Sequence, residues 1–172
     1  ERLLEEDQLT AEPAEELRAA EESRLEARVS LAKLRHQAVL AELRAAQPRS
    51  VLDLGCGEGS LLLDLARSGD FNQIVGLDVS HAALDRAQER LERLTPAQKE
   101  RVRLVHGSLT YRDKRMEGFD AAVALEVIEH LDPGRLEAFE RVILEFARPK
   151  TFVLTTPNVE YNALFEPLAR GE

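Results

Sequence analysis

Val51-Leu52-Asp53-Leu54 runs directly into Gly55-Cys56-Gly57-Glu58-Gly59. Apolar residues interleaved with an aspartate, followed by glycine at every second position, describe a buried strand that ends in a turn. At that turn the backbone must come close to something. A β-carbon would obstruct both the positive φ angles of such a turn and the approach of a ligand. Residues 58–67 then read as a helix with Leu61, Leu62 and Leu65 on its inner side. Strand, glycine turn and helix is how an α/β sheet offers a helix N-terminus to a nucleotide-like ligand.

The rest of the chain alternates in the same way. Strands are predicted over 50–54, 73–77, 102–105, 119–124 and 152–155, with helices over 58–68, 81–93 and 133–146. Thr95-Pro96 breaks the second of these helices, and Pro133 suits the first turn of the third. Upstream, residues 14–46 carry Leu17, Leu25, Leu31, Leu34, Leu40 and Leu43 among charges, a helical spacing with room for a bend at 28–30. The stretch 31–46 is the more apolar and is expected to pack on the sheet, and Pro48 stops it. Strands alternating with helices predict an α/β fold with a doubly wound, mostly parallel sheet. Residues 1–30 read as an acidic linker or helical arm, and 31–172 as the sheet domain.

Composition bounds the function. With 172 residues, 44% of them hydrophobic, the chain suits one domain with a sizeable core and is not a disordered chain. No apolar run approaches the ~20 residues that span a bilayer, and no signal peptide is visible, so no membrane association is expected. Cys56 is the single cysteine, which excludes an internal disulfide and makes a cytoplasmic location the expectation. Within the glycine turn Cys56 reads as a small residue beside a ligand, with a reactive thiol as the alternative. The formal charge of −9 argues against a nonspecific nucleic-acid binder. Most of that charge belongs to residues 1–26, where ten acids face three bases.

The dinucleotide fingerprint spaces its glycines G-x-G-x-x-G. Here the spacing is G-x-G-x-G, followed by Ser60, and an acid, Asp78, stands at the tip of the next predicted strand after Ile74-Val75-Gly76-Leu77. An acid there can accept both hydroxyls of a ribose. This pair of motifs resembles the class I S-adenosylmethionine-dependent methyltransferases. The resemblance implies S-adenosylmethionine as cofactor, with Asp53, Gly55, Gly57 and Gly59 bordering its methionine half and Asp78 its ribose. Many such enzymes place an acid where Ser108 stands, to receive the adenine amino group. Ser108 and the adjoining Leu109 occupy that place here.

Glu126-Val127-Ile128-Glu129-His130 follows the fourth predicted strand, at the end of the sheet where ligands sit. If the segment is helical, Glu126, Glu129 and His130 share one face, and two carboxylates with an imidazole suit Mg²⁺ or Mn²⁺. The competing reading is local: similar E-V-x-E-H-L segments occur in class I methyltransferases that use no metal, where the carboxylates cap or hydrogen-bond nearby. Beside this segment stand Gly107-Ser108-Leu109-Thr110-Tyr111-Arg112-Asp113, Phe139-Glu140-Arg141-Val142 with Pro149, and Thr155-Thr156-Pro157-Asn158-Val159-Glu160-Tyr161-Asn162. Together, over residues 31–162, they resemble the small-RNA 3′-terminal 2′-O-methyltransferases, the HEN family.

That resemblance implies methyl transfer to the 2′-hydroxyl of the 3′-terminal ribose of RNA, assisted by a metal held by two glutamates and two histidines. Glu126, Glu129 and His130 match three of these ligands, and His130 would also influence proton removal. The fourth is a histidine beyond the E-Y-N segment. The chain stops at Glu172 without it, and His36, His81 and His106 lie elsewhere. The expectation is therefore a C-terminally incomplete methyltransferase domain, lacking its last strands and binding metal weakly. An ion on both terminal hydroxyls would activate the acceptor and explain specificity for the 3′ end. Arg112, Tyr161 and Asn162 would border the RNA, whereas Arg86 and Arg90 read as solvated helix residues. Related bacterial proteins act in RNA repair with a polynucleotide kinase–phosphatase–ligase, which makes such a protein an expected partner. The alternatives are a metal-independent O-methyltransferase for a small metabolite and a non-catalytic methyltransferase-like scaffold.

Overall fold

The computed structural model describes residues 12–157. By its packing the chain divides after Ala38. In the first unit the described residues belong to one helix, α1 (Glu12–Ala46), which runs without a break and ends within the second unit. Leu25, Val29 and Leu34 of α1 are exposed, whereas Val39 and Leu43 are fully buried. Val39 and Leu43, both in the second unit, join the sheet core.

The second unit alternates strands and helices: β1 (Ser50–Leu54), α2 (Ser60–Ser68), β2 (Gln73–Asp78), α3 (His81–Leu91), α4 (Pro96–Lys99), β3 (Val102–His106), β4 (Ala121–Leu125), α5 (Pro133–Arg141) and β5 (Thr151–Thr155). The strands form one parallel sheet in the order β3-β2-β1-β4-β5. The chain thus leaves β1 in one direction through β2 and β3, then crosses to the other side for β4 and β5. The reversal opens a crevice beyond the carboxyl ends of β1 and β4, where open α/β sheets bind ligands.

Alternation along β1 sorts its side chains between two cores. Val51 packs with Ile74, Ala121 and Val123 beneath Leu61, Leu62 and Leu65 of α2. Leu52 and Leu54 pack with Val75, Leu77, Ala122 and Ala124 against Phe139, Val142 and Ile143. Gly76 shows how closely the first core approaches: a β-carbon there would lie 2.5 Å from Leu62 Cδ1 and 2.9 Å from Cys56 Sγ. Among the described residues no helix is long and apolar enough to cross a membrane.

Among the boundaries that differ from the sequence reading, three have a clear local reason. Helix α2 starts at Ser60 rather than residue 58 because Gly59 is left-handed, with φ 74°. The freed Glu58 instead pairs with Arg86 Nε at 2.7 Å and the Arg90 guanidinium at 3.2 Å. Strand β4 starts two residues late. Asp120 turns its carboxylate to accept from the backbone N–H groups of Arg49 (3.0 Å) and Ser50 (3.3 Å) and from Lys150 Nζ (2.9 Å). Lys150 and these N–H groups hold the Asp120 carboxyl at about 2. Finally, the helix predicted over 133–146 stays α-helical only to Arg141 and finishes as a π-helical turn, Val142–Ala147.

Candidate functional site

The glycine turn closes over the end of β2. Gly55 and Cys56 both donate to Leu77 O, at 2.8 and 3.1 Å. Gly55 has φ 73°, and a β-carbon on it would come within 2.9 Å of Val127 Cγ2. Gly57 has φ 52°, and a β-carbon there would meet nothing within 4 Å. The turn therefore presses one glycine against the segment after β4 and leaves another facing open space, as close approach by a ligand requires.

Asp78 locks this turn. Its Oδ2 accepts from Gly57 N and its Oδ1 from Ser80 N, both at 2.8 Å. Ser80 in turn caps α3, its side chain accepting from Ala83 N at 3.2 Å. Each carboxylate oxygen keeps a second acceptor direction for a ribose hydroxyl. The sequence suggested the ribose role and gave no sign of this structural one.

Asp53 lies below the turn, 2% exposed, and its Oδ2 is buried without a hydrogen-bond partner. Burial, then the nearby Asp78 carboxylate, push it up to about 7. The folded state thus holds a proton that the unfolded chain releases near pH 4. This contribution to stability is complete below pH 4, declines as pH rises, and is lost above about pH 7. We expect the wild-type chain without cofactor to lose on the order of 4 kcal/mol from this group across that window. Asp53→Asn should show no such slope. Urea unfolding at pH 5.5 and pH 8 checks this, and equal slopes in the two proteins would clear Asp53. A cation bound above the turn would favour the carboxylate and release the proton. Cys56 is buried, and burial with Asp53 and Asp78 pushes its thiol far up, so it is an inert packing residue.

A cavity of about 310 Å³ opens beside the turn, and its wall includes Gly55, Asp78, Ser108, Leu109, Glu126 and His130. Six of the sequence-predicted site residues thus meet at one place. Asp53, Gly57, Gly59 and Glu129 are not on the wall. Ser108 and Thr110 pair their hydroxyls at 3.0 Å, which puts a neutral donor–acceptor pair on this wall. Sequence reasoning missed Val79, Thr110, Val127, Leu131 and Arg135 on the same wall. Val79 and Thr110 adjoin recognised motifs and were within reach. Arg135 was not, because only the folded position of α5 brings it there. Another cavity, lined by Arg49, Asp120 and Lys150, sits at the opposite, amino-terminal end of the strands and is bridged by the Asp120 contacts above.

The segment after β4 corrects the helical reading. Glu126 is left-handed, with φ 55°, and only a single 3₁₀ turn, Ile128–His130, follows. Thr155 at the end of β5 holds Glu126 in place. Glu126 N donates to Thr155 O (3.2 Å) and Oγ1 (3.1 Å), and Thr155 Oγ1 donates to Glu126 Oε1 at 3.0 Å. Glu126, Glu129 and His130 therefore do not share a helix face. Among the described residues no three His, Cys, Asp or Glu side chains gather so as to hold a metal ion. Tyr161 and Asn162 lie outside the described residues.

Residues 52–152 match the methyltransferase domain family. The structure superposes on the methyltransferase domain of bacterial CtHen1 with a TM-score of 0.77 and 49% identity, covering 82% of this chain and 74% of that one. The chain belongs to the HEN-type class I methyltransferases. The crystal structure of the small RNA methyltransferase HEN1 is also similar, with a TM-score of 0.71 and 28% identity over 82% of this chain and 18% of that one. Among curated HEN-type relatives, the small RNA 2′-O-methyltransferase of Rattus norvegicus is 37% identical over 144 residues, 80% of this chain. The match spans 36% of that relative's length. Family and fold support S-adenosylmethionine as the cofactor of this class, and the glycine turn, the acceptor directions of Asp78 and the adjoining cavity fit such a group.

Proposed function

We propose that this protein transfers the methyl group of S-adenosylmethionine to the 2′-hydroxyl of the 3′-terminal ribose of a small RNA. The observation that carries the reading is the cavity wall. Gly55, Asp78, Ser108 and Leu109 supply a nucleoside-binding side, and Glu126 and His130 supply an acid–base side, in a chain 49% identical to a Hen1 methyltransferase domain. When bound, S-adenosylmethionine supplies a methyl group already activated on sulfonium, so the chain's task is alignment and proton removal. Asp78 fixes the nucleoside through the same carboxylate that sets the glycine turn. Glu126, held by Thr155, and His130 stand on the wall as the groups able to orient the acceptor hydroxyl and take its proton.

The resemblance also implies Mg²⁺ or Mn²⁺. The donor types suit a hard ion, but the described residues do not fit one as arranged. Glu126 Oε1 is engaged by Thr155, and Glu129 is off the cavity wall. Alignment and proton removal are therefore assigned to the chain's own side chains. An RNA 3′ end is the partner this site supports, whereas the described residues offer no support for a kinase–phosphatase–ligase partner.

The test is methyl transfer by the whole protein onto matched RNAs ending in ribose, in 2′-deoxyribose or in a 3′-blocked ribose, with Mn²⁺ and in metal-free buffer. We expect label on the ribose end only. Equal labelling of the deoxyribose end would reject the 2′-hydroxyl, and equal labelling of the blocked end would reject terminal specificity. Undiminished turnover without metal would remove the ion from the reaction.

A further inference from the structure

The loop after β3 carries chemistry that methyl transfer itself does not use. Ser108, Leu109 and Thr110 line the cavity, and the next residue, Tyr111, stands 73% exposed. Aromatic side chains of this kind are scarce here, with two tyrosines and no tryptophan in the chain. Arg112 lies over the ring of Phe146, its guanidinium carbon 6.0 Å from the ring centroid, which ties the loop to the π-helical turn beyond α5. Asp113 caps the short turn Lys114–Met116 and pairs with Arg115. Arg112, Lys114 and Arg115 against Asp113 give this stretch a local charge of +2, in a chain whose formal charge is −9. Arg135, also exposed, lines the same cavity. A stretch of bases and a bare aromatic ring that directly follow three cavity-wall residues, with Arg135 on the wall itself, present a local attraction for a polyanion in an acidic protein. Single-stranded nucleic acid is held in this way, with cations along the phosphates and aromatic rings against the bases.

We propose that Tyr111 stacks against one of the last two bases of the RNA, with Arg112, Lys114 and Arg135 facing its phosphates. The proposal rests on the methyl-transfer reading above and adds to it the residue that grips the substrate's end. A hydroxyl is not needed for stacking, so the ring alone carries the effect.

The experiment measures kcat and KM for RNA in the whole protein at saturating S-adenosylmethionine, together with the cofactor Kd. Tyr111→Ala should raise the RNA KM about tenfold with kcat and cofactor Kd unchanged, and Tyr111→Phe should restore the wild-type KM. An RNA made abasic at one of its last two positions should cost the wild type the same factor and cost Tyr111→Ala nothing further. An unchanged KM, or losses that multiply at both positions, would overturn the proposal. A raised cofactor Kd with an unchanged RNA KM would overturn it in favour of a cofactor contact. Fluorescence anisotropy of the same RNAs without methyl donor keeps the two readings apart. Tyr111-dependent binding by a wild-type protein that methylates no RNA supports the stacking contact and overturns the methyl-transfer reading alone.

Discussion

Replacing Asp78 with alanine weakens S-adenosylmethionine binding by about a hundredfold. The figure follows from the charge-assisted bonds that the carboxylate, already oriented by the Gly57 and Ser80 N–H groups at 2.8 Å, has acceptor directions left to make to a ribose. A hydrogen bond to a charged group contributes roughly 1.5–3 kcal/mol, and about 2.8 kcal/mol is a factor of a hundred in Kd. The two backbone bonds disappear in the same substitution, which lowers the stability of the folded chain. The change also frees the glycine turn and the start of α3, so binding enthalpy and the melting temperature fall together. Isothermal titration of the variant checks it, and a Kd within threefold of wild type would remove Asp78 from the cofactor site.

At Glu126, glycine is expected to be a more stable replacement than alanine, the reverse of the usual order in regular structure. Both substitutions remove the carboxylate and with it the bond to Thr155 Oγ1. They differ in the backbone. At φ 55° an L side chain carries a strain of roughly 1–2 kcal/mol that glycine does not, and the glycine's greater freedom when unfolded offsets part of it. We expect Glu126→Gly to exceed Glu126→Ala by about 1 kcal/mol in urea unfolding, while both lose about a hundredfold or more in methyl transfer. Equal stabilities would mean that the position is not strained. Retained activity would remove the carboxylate from the chemistry. Strain of this sort is kept where a side chain must be aimed, and here it turns Glu126 into the cavity rather than along the exit of β4.

The sheet was legible because its signals are local. Apolar runs of five or six residues, punctuated by Gly55, Pro48, Asp78 and Pro133, place every strand within two residues. The gathering of Gly55, Asp78, Ser108 and Leu109 on one cavity wall was nearly as legible, since each stands at or just beyond the end of a strand. What escaped depends on contacts between distant segments. The left-handed turn at Glu126 exists because Thr155, on the neighbouring strand, satisfies its N–H and its carboxylate. Helical spacing of Glu126, Glu129 and His130 could not reveal a partner in β5. Asp78 carries its backbone bonds because the turn after β1 folds back over β2, and Arg135 reaches the wall only when α5 packs.

The π-helical turn after α5 sets the reach of a different part of the molecule. A π turn takes in one more residue than an α turn, and this one delivers the Phe146 ring that seats Arg112. An irregularity in one helix thus acts as a spacer for a loop more than thirty positions earlier in the chain, and it ties that loop to the packing of Val142 and Ile143 in the core.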